Sequence, residues 1–383
     1  MNLRKLPRTA LCAISVALTT SAVALGQNDP AADRIRTGNA ESSPPSLSVT
    51  TADLSQDAGG EAVDLGPSGV SPRWTASAEF MLWDRIGTVR ETLVTTYPVP
   101  PPPPMPQLIV GQGTDQLYSD DLTQGFAGGP KVGLTYHADN GCGCEVSFFQ
   151  IDGWGNARST PSGADITPVF AAPGDFVQTT DGEYKGQYQN MGWGYATRLY
   201  NAEINLHWDL CSRVTMLAGV RWVNLWENLQ GTIEPSDRTS PFWDTTTRNN
   251  LYGIQLGEDW IIFNRGRFSI HGLVKAGIFD NSADETSGVS IFRTVHWESA
   301  STNQLAFLGE IGLQCKCQLT QNLLLKIGYE AMCLQGVALA PGQIPETQSD
   351  IVSFRDVSVR ALGINSGSGV FYHGATAGLE YAF

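Results

Sequence analysis

Beyond residue 25 the 383-residue chain has no apolar run near the length of a membrane-crossing helix, about 18–20 residues. A helical span past the N-terminus is therefore excluded. Charge is also scarce, 16% of residues against about 25% in ordinary soluble domains. Basic residues are the rarer sign, 24 Lys and Arg against 38 Asp and Glu, and that removes the basic face nucleic-acid binding needs. The five histidines are scattered, with no GxSxG, HExxH, P-loop or GxGxxG sequence beside them. No catalytic residue, metal site or cofactor is expected. The seven cysteines include no CxxC pair of the metal-holding kind. Glycine, in contrast, is plentiful at 41 residues, which suits many tight turns and disfavours long helices.

Arg4, Lys5 and Arg8 precede an apolar stretch from Ala10 to Leu25, and Ala24-Leu25-Gly26 supplies small residues at a cleavage point. Residues 1–26 are thus expected to be a signal peptide cut before Gln27. Its loss removes three bases and no acid, leaving the mature chain still more acidic. Residues 27–72 are polar and nearly free of aromatics, with too little apolar surface to offset chain entropy. A disordered periplasmic segment is expected there, and residues 73–383 form the structured part.

From Trp74 onward the chain alternates. In Tyr200-Asn201-Ala202-Glu203-Ile204-Asn205-Leu206-His207-Trp208 every even residue is apolar and every odd one polar. A period of two puts those sets on opposite faces of a strand. The same pattern runs through residues 214–222, 268–278, 323–331 and 371–383, and more weakly through 74–84, 129–137, 145–154, 250–262 and 304–315. These ten segments, with twelve strands as the variant count, match the roughly 9–11 residues of a tilted membrane-crossing strand.

Their connections alternate in length. Short ones cover 138–144, 209–213, 263–267 and 316–321; long ones cover 85–128, 155–197, 227–249, 281–303 and 335–369. In a meander, alternate connections share one end of the sheet, which is the design of outer-membrane barrels. Lipid offers no water to an open sheet edge, so the first and last strands must pair. The expected fold is all-β: an antiparallel up-and-down transmembrane barrel of about ten strands, following the signal peptide and disordered segment. Trp74, Trp83, Trp154, Trp208, Trp222, Trp226 and Trp260 fall near strand ends and are read as interfacial girdles. The expected location is the outer membrane, with long loops outside the cell and tight turns plus both termini in the periplasm.

Parity then assigns a lumen-facing set: Glu79, Glu203, Arg221, Lys275, Glu310, Lys326, Glu330 and Glu380. Two outcomes stay open for it, an ion-paired plug as in small barrels or a narrow pore whose carboxylate excess favours cations. Cys142, Cys144, Cys211, Cys315 and Cys317 all fall at or beside tight turns, where the periplasm permits disulfides; Cys333 lies toward the other end. The proline-rich run 97–106 in the first long loop reads as a polyproline II spacer.

Four stretches also resemble a known family: Gly219-Val220-Arg221-Trp222, Asn250-Leu251-Tyr252-Gly253-Ile254-Gln255-Leu256-Gly257, Val274-Lys275-Ala276-Gly277-Ile278-Phe279, and Gly328-Tyr329-Glu330-Ala331-Met332-Cys333-Leu334-Gln335-Gly336-Val337-Ala338-Leu339-Ala340-Pro341-Gly342-Gln343-Ile344. Together they are similar to the putative beta-barrel porin-7 family of bacterial outer-membrane proteins, across residues 74–383. The last stretch is the most specific. The resemblance implies an outer-membrane barrel with porin-like function and supplies no catalytic residues. The terminal Tyr381-Ala382-Phe383 looks like the aromatic signal by which such barrels are recognised for insertion.

The leading functional expectation is a passive channel whose partners are outer-membrane lipid and small hydrophilic solutes, with a cation preference. The alternative is a non-conducting structural or adhesion barrel that displays its long loops. A membrane hydrolase, tested through His296, ranks third. No feature requires a homo-oligomer.

Overall fold

The computed structural model describes residues 73–87, 89–96, 114–139, 141–160, 166–168, 191–233, 242–291, 294–344 and 363–383. The expected signal peptide, the 27–72 segment and the proline-rich run lie outside these. In chain order the strands are β1 (Trp74–Ile86), β2 (Thr92–Thr96), β3 (Thr114–Tyr118), β4 (Phe126–His137), β5 (Cys142–Ser159), β6 (Ile166–Pro168), β7 (Met191–Cys211), β8 (Val214–Ile233), β9 (Phe242–Arg265), β10 (Phe268–Ile291), β11 (Thr294–Gln318), β12 (Leu323–Val337) and β13 (Ser368–Ala382).

Ten of them close a barrel in the order β1, β13, β12, β11, β10, β9, β8, β7, β5, β4, all antiparallel. The ring closes on itself as the lipid argument requires. Trp74 and Phe383 exchange backbone hydrogen bonds of 3.2 and 2.9 Å, so both ends of the barrel sequence sit at the tight-turn end. The outward faces carry the apolar belt. On β10 it runs from the exposed Phe268 to the exposed Ile278, and Asp280, Ser282 and Asp284 follow on the same face.

Strand length departs from the sequence reading. β9, β10 and β11 have 24, 24 and 25 residues, about twice what a bilayer crossing needs. Residues 227–249 and 281–303, expected to be loops, are mostly strand: β8 continues to Ile233, β9 begins at Phe242, β10 continues to Ile291 and β11 begins at Thr294. The period of two persists there, but both faces are polar, so a search for apolar alternation ends too early. These extensions carry the wall beyond the belt. The connections also build an unexpected second sheet, ordered β3-β2-β6.

Two tryptophans assigned to girdles point the other way. Trp83 shares the inward face of β1 with Glu79 and Met81, and is buried. Trp154 turns inward because the register slips between Asp152 and Trp154, where Gly153 adopts a φ of +101°. Both belong to the core.

The closing seam depends on two glycines of β13. A Cβ on Gly374 would meet Leu82 O at 2.1 Å, and one on Gly378 would meet Ala78 O at 2.2 Å. Neither backbone atom can yield without parting β1 from β13. Gly378→Val should therefore cost about 1–3 kcal/mol or more through overpacking. The check is the urea midpoint of the refolded protein together with its heat-modifiable gel mobility; an unchanged midpoint would show that the seam is slack.

Candidate functional site in the barrel interior

Each strand carries its inward residues through successive layers. On β8 the inward series is Thr215, Leu217, Gly219, Arg221, Val223, Leu225, Glu227 and Leu229; on β1 it is Thr75, Ser77, Glu79, Met81, Trp83 and Arg85. The β1 series passes from polar at the tight-turn end to ionic, then apolar, then ionic again, and from Arg221 onward β8 repeats the last three steps.

The first ionic layer holds all eight residues of the parity set. Arg221 pairs with Glu310 at 2.7 Å and donates from Nε to Asn201 Oδ1 at 2.5 Å. Lys275 reaches Glu203 at 2.9 Å and Glu310 at 3.8 Å. Lys326 bridges Glu79 at 2.7 Å and Glu380 at 3.4 Å. Glu330 is held by Lys131 at 2.9 Å, a cation the lumen-facing set lacked. Gln255 donates to Glu203 at 2.5 Å and to Asn205 at 2.7 Å. The Arg221–Glu310, Lys275–Glu203 and Lys131–Glu330 pairs each join strands three places apart around the ring. They cross the lumen and do not run along its wall. Lys131 was legible: Val132, Leu134 and Tyr136 face outward, which puts Lys131 on the other face.

Above this layer the interior is dry. One contiguous cluster takes buried side chains from every barrel strand, among them Met81, Ala127, Phe149, Leu199, Val223, Leu251, Phe279, Leu308, Met332 and Tyr372. Trp154 Nε1 donates to Trp83 O at 3.2 Å within it. Each large side chain buried here contributes about 1.5–3 kcal/mol.

A buried latch follows. The Arg85 guanidinium pairs with the Glu227 carboxylate, both side chains essentially inaccessible. Arg85 also donates to Tyr195 Oη at 2.8 Å, Tyr195 donates to Glu227 Oε2 at 2.7 Å, and Ala340 N donates to the same oxygen at 2.9 Å. Arg85 and Glu227 lie four strands apart around the ring. In the sequence reading each was the first residue of a loop, which kept the pair out of sight.

Ala340 belongs to a segment that leaves the wall and enters the lumen. β12 ends in a bulge at Gly336, φ +82°, where a Cβ would meet Leu305 O at 2.6 Å. Residues 337–344 are then all buried. Asn249 brackets the insert, donating to Ala338 O at 2.8 Å and accepting from Ala338 N at 2.8 Å. Pro341 opens a 3-10 turn, and Gln343 donates to Asn365 O at 2.7 Å. The stretch with the most specific family resemblance is this insert. The β2–β3–β6 sheet covers it, with Leu93, Val94, Leu117 and Leu122 packing against Trp193, Trp243, Ala340 and Ile344.

The tight-turn end is open by comparison. A polar vestibule of about 390 Å³ has its inner limit at the first ionic layer and is lined by His137, His207 and His271. Within it, His207 lies 3.4 Å from Glu145. On the same wall Ser269 Oγ is 3.1 Å from His271 Nε2, and His271 Nδ1 is 3.1 Å from Asp259 Oδ1. The sequence reading found no nucleophile, because this grouping has no motif. Ser269 and His271 are two apart on β10, and Asp259 comes from the neighbouring strand. The side chain of His296 lies outside the description.

Of the cysteines expected near the tight turns, Cys142 and Cys315 are exposed and Cys144, Cys211 and Cys317 are half-buried. The register limits which of them can pair. Cys142 and Cys144, like Cys315 and Cys317, are two apart on one strand with parallel side chains, about 6.6 Å along the strand, whereas bonded Cβ atoms sit about 3.5–4.5 Å apart. Cys142 stands opposite Trp208, three residues short of Cys211. Among the described residues no group of three or more His, Cys, Asp or Glu is placed to hold a metal ion.

The chain matches the family model described as Putative beta barrel porin-7 over residues 74–383. It belongs to that family. As a porin-7 family member it is an outer-membrane β-barrel, and the lumen insert and ionic layer lie wholly within the matched region. No curated protein matches it. Among solved structures, the outer-membrane protease OmpT of Escherichia coli is 9% identical, with 83% of this chain and 99% of that chain covered and a TM-score of 0.43. The translocator domain of the autotransporter NalP of Neisseria meningitidis is 6% identical, with 82% and 90% covered and a TM-score of 0.36. The toluene transporter TbuX of Ralstonia pickettii is 8% identical, with 82% and 90% covered and a TM-score of 0.32. The activities named for these proteins are theirs.

Proposed function

We propose that this porin-7 barrel is non-conducting at rest and serves to display its extended long-connection end, which faces outside the cell, with tight turns and both termini in the periplasm. One observation carries the reading: every barrel strand contributes to a single dry cluster across the lumen. Water-filled conduction needs a continuous polar path, and that layer interrupts it. The long β8–β11 walls and the small sheet support display, since they form an ordered surface beyond the lipid belt. Planar-bilayer recording on refolded protein is expected to give no conductance step above background. Steady ohmic steps from the unmodified chain would refute the proposal.

Passage of small hydrophilic solutes is the second reading. It is favoured by family membership and by the insert, a separable segment tied to the wall largely by side chains. In that case the insert must move before solute passes. The interior charges give a cation preference little support, because Lys131 brings the first ionic layer to five carboxylates against four bases.

A further inference from the structure

We propose that Ser269, His271 and Asp259 form a serine-hydrolase site on the vestibule wall, acting on short-chain carboxylic esters that enter from the tight-turn end. The proposal is independent of whether the barrel conducts. Three observations meet here. The hydrogen-bond order is the one nucleophilic catalysis needs: serine oxygen on one imidazole nitrogen, carboxylate on the other, at 3.1 Å each. The carboxylate fixes the tautomer that leaves Nε2 free to accept the Ser269 proton. His271 and Asp259 line a cavity of about 390 Å³, enough for a compact ester, and Ser269 stands at its margin, within a hydrogen bond of His271.

A fourth group completes the chemistry. Lys316 stands directly opposite Ser269 in the β10–β11 register and, like His271, lines the vestibule. Directly opposed residues hold their Cβ atoms about 4.5–5.5 Å apart, which puts an ammonium group within reach of an oxyanion formed at Ser269.

The reaction balances with water as the only co-reactant. Ser269 Oγ bonds to the ester carbonyl carbon while its proton passes to His271 Nε2. The carbonyl oxygen becomes an oxyanion facing Lys316. The carbon–oxygen ester bond then breaks, and the His271 proton leaves on the alcohol. Water attacks the acyl-serine, gives its proton to His271, and the tetrahedral intermediate collapses. Carboxylic acid departs and Ser269 recovers its proton. Substrate charge follows from the lining, which has seven carboxylates and four lysines. With histidine counted as neutral, the excess is negative, so neutral or cationic esters enter more readily than anionic ones.

The test uses the full refolded chain. A fluorophosphonate probe followed by peptide mass spectrometry should place the adduct on Ser269, and p-nitrophenyl acetate should be hydrolysed with turnover. Ser269→Ala should abolish both. His271→Ala should lower kcat by about 10³-fold or more, and Asp259→Asn by about 10²–10⁴-fold. Lys316→Met should lower kcat while leaving KM unchanged. Heat-modifiable mobility reports whether each variant folds, and the adduct position in the unsubstituted chain needs no variant at all. No adduct above that of heat-denatured protein, an adduct elsewhere, or Ser269→Ala hydrolysing at the full rate would each overturn the assignment.

Discussion

Glu227→Ala is expected to destabilise the barrel by about 3–5 kcal/mol, the cost of leaving one partner of a buried ion pair uncompensated. Arg85 would keep its charge in a site with essentially no access to water. Tyr195 Oη and Ala340 N would lose their acceptor at the same time. The loss should appear as a lower urea midpoint with an unchanged slope. The double variant Arg85→Met/Glu227→Leu should recover most of it, because neither charge is then stranded. A Glu227→Ala loss below about 1 kcal/mol, the range of an exposed pair, would mean that water reaches the latch.

Replacing residues 338–344 with a flexible glycine–serine linker of equal length should cost about 3–6 kcal/mol. Leu339 and Ile344 are both buried, and each fully buried aliphatic side chain is worth about 1.5–3 kcal/mol. Asn249 and Gln343 hold the insert's backbone by hydrogen bonds, and the linker loses the Gln343 amide that ties Leu339 O. The consequence for permeability separates the two functional readings. The dry cluster beneath the insert draws on all ten strands, so the linker variant should still give no conductance step. Stepwise current in the linker variant, absent from the parent chain, would replace the display reading with that of a channel gated by the insert.

Much of the wall was visible without coordinates. Wherever one face is apolar and the other polar, the alternation fixes which residues point inward, because a strand's period of two allows only one alternative. Glu203, Arg221 and Lys275 fell on the inward side for that reason. The alternation gives no guide where that contrast disappears. Asp280 to Glu285 is polar on both faces apart from Ala283, so β10 seemed to stop about thirteen residues early. It also misleads where one residue breaks the count: Gly153 lets the register slip and carries Trp154 from the expected lipid side to the core.

The sequence by itself determined the closed barrel, its ten crossings and the polarity of most wall positions, because these follow from local periodicity and from the ban on open edges in lipid. The tertiary structure alone decided what fills the lumen. Four of the ion pairs, Arg221–Glu310, Lys275–Glu203, Lys131–Glu330 and Arg85–Glu227, join strands three or four places apart round the ring, the insert seals one end, and Ser269, His271 and Asp259 meet at the other. Those contacts depend on how the ring closes and which side chains it brings face to face. No period along a single strand encodes that.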